Sequence, residues 1–295
     1  MTPRSTAQAA TAFYAASPFL RLFRMALSAF DRLWPAAGVR AAQRLFVTPL
    51  PPKWRSRGRP WDTRYRVESW PFEQASLTLY SLAAAPHAPT VLLVHGWGGD
   101  ARQLLPIAEA LAQHGLRPVL VDMPGHGRSA GSASTLPQFA RAIDYVCARL
   151  VHEGHSIRAV VAHSLGANAA AYAAGRGLPA ERLVLLAPPA SPREYTRLFA
   201  TVFGLSELTR AAMQKRIESR EGVLMQQFEP AAVGPRIRMP VLVVHDRGDS
   251  INAFADGMAF AHAVRGAQLV ATEGLGHRKI LKDAQVIGQV AIFTG

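Results

Sequence analysis

A single cysteine, Cys147, stands in the 295 residues, so no disulfide can form within the chain. A reducing, cytoplasmic setting is the expectation that goes with it. Cys147 lies in the apolar helical stretch Ile143-Asp144-Tyr145-Val146-Cys147-Ala148, where a buried structural thiol is expected. Long apolar runs are also missing. No stretch of about 18 uncharged apolar residues occurs, so no transmembrane helix is expected. The apolar segment from Phe13 is interrupted by Arg21 and Arg24, and no small-residue cleavage site follows it, so no secretory leader is expected either. Acidic residues are scarce, 20 against 33 Lys and Arg. The imbalance is local: residues 1–70 hold twelve of the basic residues and three of the acidic ones, and the remainder is near balance. A nucleic-acid binder would place its basic residues on the folded docking face. A basic, apolar N-terminus suits an anionic membrane surface or an acidic partner instead.

The chain is 49% apolar, enough for a full core. Its pattern changes near residue 61, which divides an N-terminal extension, 1–60, from a main domain, 61–295. In the extension, Ser17-Pro18 reads as a helix start. Leu20, Phe23, Leu27, Phe30 and Trp34 then repeat at helical spacing, and Pro35 ends that helix. Residues 18–34 form a helix too apolar to stand alone in water, and their Arg residues oppose spanning a bilayer. They are expected to dock on the main domain, on a second copy or at a membrane interface. A second helix is expected from Ala36 to Phe46, then a stiff Pro-rich linker at residues 48–52.

In the main domain, Arg64–Trp70 and Ala75–Leu82 read as a hairpin. Short β-branched runs then alternate with helical segments: Val91–His95, Pro118–Asp122, Ala159–His163, Leu183–Ala187, Val241–His245 and Gln268–Thr272. Buried strands alternating with helices imply an α/β fold with a parallel sheet covered on both faces. Residues 190–238 break the rhythm with helix formers and no strand, and read as a helical cap over the sheet's carboxyl edge. Its aromatic members Tyr195, Phe199 and Phe203 are candidate substrate-binding residues.

The central chemical signal is Val160-Val161-Ala162-His163-Ser164-Leu165-Gly166-Ala167. A serine hydroxyl is a weak nucleophile and must be exposed beside a base. A sharp strand-to-helix turn achieves this, and small residues two before and two after let neighbouring backbones approach. Ala162 takes the place of the usual first glycine. The second signal, His95-Gly96-Trp97-Gly98-Gly99-Asp100, follows a strand directly. Its glycines let a backbone N–H face a developing oxyanion, and the N–H groups of Trp97 and Leu165 are the expected donors. His95 reads as a structural hydrogen-bonder. The third and fourth signals are His245-Asp246-Arg247-Gly248-Asp249 and Gly274-Leu275-Gly276-His277. Two carboxylates compete to orient His277. Asp246 follows its strand at once, whereas Asp249 lies where a carboxylate can turn toward the histidine. All four signals fall at the carboxyl ends of expected strands, where open α/β sheets place their sites.

Together with Asp122-Met123-Pro124-Gly125-His126-Gly127-Arg128-Ser129, these motifs resemble the α/β-hydrolase superfamily over roughly residues 61–295. The resemblance implies an eight-stranded, mostly parallel sheet with helices on both faces and a helical cap between strands six and seven. It also implies a Ser164–Asp249–His277 triad that needs no cofactor or metal. A serine nucleophile argues against the family's epoxide hydrolases and haloalkane dehalogenases, which use aspartate there. The expected function is hydrolysis of a small-molecule carboxylic ester with a hydrophobic group. Acyl transfer on the same triad and a non-catalytic, membrane-associated binding module are the alternatives. The Gly125–Ala130 segment fits a dinucleotide fingerprint only loosely, because no helix opens there. His152 and His155 lack the spacing that puts two metal ligands on one helical face. His163 is expected to pack and hydrogen-bond.

Overall fold

The structure, a computed structural model, describes residues 25, 28, 29, 32–50, 58, 60–85 and 87–295. Most of the apolar stripe expected over residues 18–34, including Leu20, Phe23, Leu27 and Phe30, lies outside the described residues.

Eight strands form one sheet: β1 (Tyr65–Phe72), β2 (Ala75–Leu82), β3 (Thr90–Val94), β4 (Arg117–Asp122), β5 (Ile157–His163), β6 (Arg182–Leu186), β7 (Val241–Asp246) and β8 (Gln268–Thr272). Their order is β1-β2-β4-β3-β5-β6-β7-β8. The β1–β2 and β2–β4 pairs are antiparallel and the others parallel. Helix α1 (Pro35–Phe46) precedes the sheet, and α2 (Leu105–Gln113), α3 (Leu136–His152), α4 (Leu165–Ala174), α5 (Pro192–Phe203), α6 (Glu207–Glu221), α7 (Phe254–Ala263) and α8 (Ala284–Thr294) follow in turn.

Side chains alternate across a strand, so each central strand feeds two cores. Leu92, Val94, Val160, Ala162, Leu183 and Leu185 face one side, against α3, α4 and α7. Val91, Leu93, Ala159, Val161, Val184 and Leu186 face the other, against α2 and α8. This explains the continuous β-branched runs: a strand covered on both faces has no polar side. The run Gln268–Thr272 differs, because β8 is an edge strand and three of its five residues are exposed. Cys147 is fully buried in α3, and burial pushes its thiol pKa up.

Local chemistry sets the helix ends. Pro35 opens α1 at its first turn rather than only closing what precedes, since its fixed φ suits that position. A 3-10 turn, Ala101–Leu104, leads into α2 and is capped by Asp100 accepting from the Arg102 N–H. Asp283 caps α8 through the N–H groups of Gln285 and Val286, so that helix starts at Ala284.

Helices α5 and α6 form an insertion between β6 and β7. Helix α1 packs on it: Ala42 and Val47 join Met213, Ile217 and Met225 in a third, smaller core. The segment Asp122–Ser129 knits the β2 side of the sheet. The buried Asp122 carboxylate accepts from Tyr80 O–H, Ala101 N–H and Arg128 N–H at 2.7–2.8 Å. A Cβ at Gly127 would stand 2.1 Å from that carboxylate, so only glycine fits. Among the described residues, no helix is long and apolar enough to cross a membrane.

Candidate active site

The strand order reverses at β3: the chain goes to β4 on one side and to β5 on the other. The crevice at the carboxyl ends of β3 and β5 is therefore where an open sheet offers a site. β5 delivers Ser164 there, and α4 leaves it. Ser164 has φ +54° and ψ −127°, a conformation that costs a non-glycine residue on the order of 1–3 kcal/mol. The Ser164 N–H donates to Leu186 O at 2.9 Å, which holds the turn. The small neighbours have measurable reasons. A Cβ at Gly166 would come 2.4 Å from His95 O, and one at Gly96 would come 2.7 Å from the Ser164 Cβ. Ala162 lies fully buried within β5, paired with Val94 and Leu185, where its methyl group packs in the core.

Three loops converge on Ser164. Its hydroxyl lies 3.0 Å from His277 Nε2, and His277 Nδ1 lies 2.7 Å from Asp249 Oδ2. The other Asp249 oxygen accepts from Ile251 N–H at 2.8 Å and Asn252 N–H at 3.0 Å. Burial raises the Asp249 pKa. Hydrogen bonds from His245 and His277, with the charge of His277, outweigh it and hold the carboxyl well below the usual range. Asp246 points elsewhere. It accepts from Gly248 N–H, the Thr272 hydroxyl and Leu275 N–H at 2.9–3.0 Å, tying the loop after β7 to the loop that carries His277. Such a Ser–His–Asp series can take a proton from a hydroxyl and return it to a leaving group.

Of the expected oxyanion donors, Leu165 follows the serine in sequence and Trp97 stands in the loop after β3. Leu165 opens α4, whose first N–H groups have no partner within the helix. Trp97 follows Gly96, which packs on Ser164. His163 is buried beside His277, with ring centroids 4.6 Å apart, and its Nε2–H donates to His277 O at 2.9 Å. Burial and the neighbouring His277 push the His163 pKa down to about 3, so its ring is neutral.

The insertion's aromatics take separate places. The Tyr195 hydroxyl hydrogen-bonds to Asn252 Oδ1, next to the Asp249 loop. Phe199 lies 5.1 Å from Phe46 of α1 and 4.7 Å from Phe203, within the small third core.

Three contributors were not singled out from the sequence. His245, fully buried, lies 3.5 Å from Asp249 Oδ2 and donates to Asn252 O. Asn252 donates to Ala187 O at 2.7 Å, joining the loops after β6 and β7. Asn168, buried on α4, donates to Pro189 O and Phe228 O. Its signal was available: it is the one polar side chain among alanines, four residues after Ser164 and so on the helix's next turn. Among the described residues, no group of three or more His, Cys, Asp and Glu could hold a metal ion.

A hydrolase family described as serine aminopeptidase, S33, matches residues 85–226, a little under half of the chain. Over 94 residues the chain is 36% identical to the 2-succinyl-6-hydroxy-2,4-cyclohexadiene-1-carboxylate synthase of Salmonella paratyphi C (strain RKS4594), covering 32% of this chain and 36% of that protein. The chain thus spans about a third of the length of the curated relatives it matches. A membrane phospholipase A described as a bacterial virulence factor is similar in structure, at 17% identity over 90% of this chain and 91% of that one, with a TM-score of 0.60. The 2-hydroxy-6-oxo-6-phenylhexa-2,4-dienoate hydrolase of Rhodococcus sp. strain RHA1 is similar at 18% identity over 78% of this chain and 98% of that one, with a TM-score of 0.59. At such identities the likeness is one of fold.

Proposed function

We propose, from the premise that this chain is a member of the α/β-hydrolase superfamily, that it hydrolyses carboxylic esters through an acyl intermediate on Ser164. The hydrogen-bond series from Asp249 through His277 to Ser164 carries this reading. His277 Nε2 takes the hydroxyl proton as Ser164 Oγ attacks the carbonyl carbon. Asp249 holds His277 in the Nδ1–H tautomer and stabilises the imidazolium. The N–H groups of Trp97 and Leu165 receive the oxyanion. His277 then protonates the leaving alcohol, and water, deprotonated by the same imidazole, releases the acid.

The insertion over residues 190–238 acts as a cap, and Tyr195, Phe199 and Phe203 favour a hydrophobic acyl or alcohol group. The basic N-terminal region and the exposed Met25, Leu33 and Trp34 support peripheral contact with an anionic membrane. The likeness to a membrane phospholipase agrees with a lipid-like ester.

The test is turnover of p-nitrophenyl esters of increasing chain length, with and without acceptor alcohols, together with labelling by a fluorophosphonate. Ser164→Ala is expected to remain folded, lose labelling and lose on the order of 10⁴-fold or more in rate. Near-wild-type turnover in that variant would overturn the reading. Transfer to the alcohol in preference to water would make the enzyme an acyltransferase.

A further inference from the structure

Two buried histidines, His95 and His126, link the loop after β3 to the loop after β4 through four hydrogen bonds to backbone. His95 Nδ1 lies 2.7 Å from Gly96 O, and His95 Nε2 lies 3.0 Å from the Met123 nitrogen. A carbonyl oxygen can only accept and a backbone N–H can only donate. His95 must therefore carry its proton on Nδ1 and leave Nε2 bare. His126 repeats the pattern from the opposite loop. Its Nε2 accepts from Gly98 N–H at 3.0 Å and its Nδ1–H donates to Pro124 O at 2.8 Å. Each histidine thus holds its own loop with Nδ1 and reaches the other loop with Nε2. The rings lie 5.2 Å apart, boxed by Phe139 and Trp97. Burial pushes the His95 pKa down, which keeps that ring neutral.

Gly96 O belongs to the same peptide unit as the Trp97 N–H. That unit is planar and trans, so its carbonyl and its N–H point in opposite directions. Gly96 O is held twice, by His95 Nδ1–H and by Gly99 N–H at 3.2 Å. Fixing the oxygen fixes the direction of the Trp97 N–H. The next unit is fixed as well, because its N–H is the one that donates to His126. Gly96 itself packs on Ser164: a Cβ there would come 3.2 Å from Ser164 Oγ.

We propose that His95 and His126 are positioning residues, a reciprocal pair of neutral imidazoles that aim the Trp97 N–H at the oxyanion formed on Ser164. The proposal rests on the reading of Ser164 as the nucleophile. A pair that merely joined two loops would affect stability and all kinetic constants together. A pair that aims an oxyanion donor acts chiefly on the transition state.

The test compares His126→Gln with His126→Asn. The Gln amide oxygen reaches the place of Nε2 and can still accept from Gly98 N–H. The Asn amide reaches only the place of Nδ1. The readouts are kcat and KM on p-nitrophenyl butyrate, thermal midpoint, and the inhibition constant of an alkyl trifluoromethyl ketone, whose serine adduct bears the oxyanion. His126→Asn is expected to lose roughly 10- to 100-fold in kcat and a similar factor in ketone affinity, with KM within about threefold. His126→Gln is expected to recover at least about tenfold of that loss. His95→Gln, which removes the donor to Gly96 O, is expected to behave like His126→Asn. Equal activity in the Gln and Asn variants, or a loss that follows thermal midpoint while ketone affinity is spared, would overturn the proposal. Where a variant does not fold, long-range ¹H–¹⁵N NMR on the intact protein decides: both rings must be Nδ1–H tautomers, and an Nε2–H tautomer in either refutes the pair. Ser164→Ala, run alongside, separates the two readings. If it keeps turnover, the nucleophile is wrong. If it is inert while the histidine variants match wild type, only the positioning is wrong.

Discussion

At Asp249 and Asp246, three residues apart, the same carboxylate does different work because its neighbours differ. Asp249 faces His277 at 2.7 Å, while Asp246 collects two backbone N–H groups and a hydroxyl. Asp249→Asn is expected to lower kcat on the order of 10³- to 10⁴-fold with the fold intact, because an amide cannot hold the required tautomer. Asp246→Asn turns an amide N–H toward a donor and is expected to cost about 1–3 kcal/mol of stability while retaining far more activity. Turnover and thermal melting of the two variants check this, and the reverse ranking would exchange their roles. The depressed Asp249 pKa also fixes a sign. Its ionised form stabilises the fold fully above the ordinary carboxylate value of about 4, and that contribution drains away as pH falls toward the folded value. Asp249→Asn should accordingly flatten the acid side of a melting profile.

Helix α4 does two tasks with one face. Its first turn exposes Ser164, and its next turn holds both ends of the insertion. Asn168 Nδ2 donates to Pro189 O at 2.7 Å on the entering side and to Phe228 O at 3.1 Å on the leaving side. Tyr172 stacks on Phe228 at 4.0 Å one turn further. Asn168→Leu keeps the bulk but strips a donor from two buried carbonyls, each left unmade at about 1–3 kcal/mol. A drop of several degrees in thermal midpoint is expected, with KM for a long-chain ester rising more than KM for acetate. A uniform effect on both esters would show that the bonds serve stability alone.

Across the whole molecule, the N-terminal region is joined to the main domain through the insertion and the loop before α3. Ala42, Phe46 and Val47 meet Met213, Ile217, Met225 and Phe199, and Ser134 N–H donates to Val47 O at 2.7 Å. A chain beginning at residue 61 uncovers that small core. It is expected to melt several degrees lower, since burying a large apolar side chain is worth about 1.5–3 kcal/mol. A chain beginning at residue 35 retains α1 and should melt near the full-length value. It also lacks Met25, Leu33 and Trp34, which are 69%, 67% and 59% exposed. It should therefore lose flotation with anionic vesicles if those residues meet a membrane. Full-length protein that ignores both anionic and neutral vesicles would end the membrane reading.

Every strand and most helices were legible in the sequence, because β-branched runs, caps and glycine positions report local forces. Gly166 could be read as a close approach, and Gly96 as a turn that frees a backbone N–H, before their neighbours were known. Ser164 and His277 stood out for the same reason, each in a short turn at a strand's end. The burial of β7 and the exposure of β8 were not separable from composition, since the sheet order alone makes one central and the other an edge. Nor could sequence choose a partner for His95, His126, His245 or Asn168. His95, His126 and Asn168 bond across loops or helices brought together by the order β4-β3-β5 and by the insertion, His245 bonds within the fold of its own loop, and a hydrogen bond depends on distance through space rather than along the chain. The sequence by itself determined which residues were able to do chemistry. The tertiary structure decided which of them face one another.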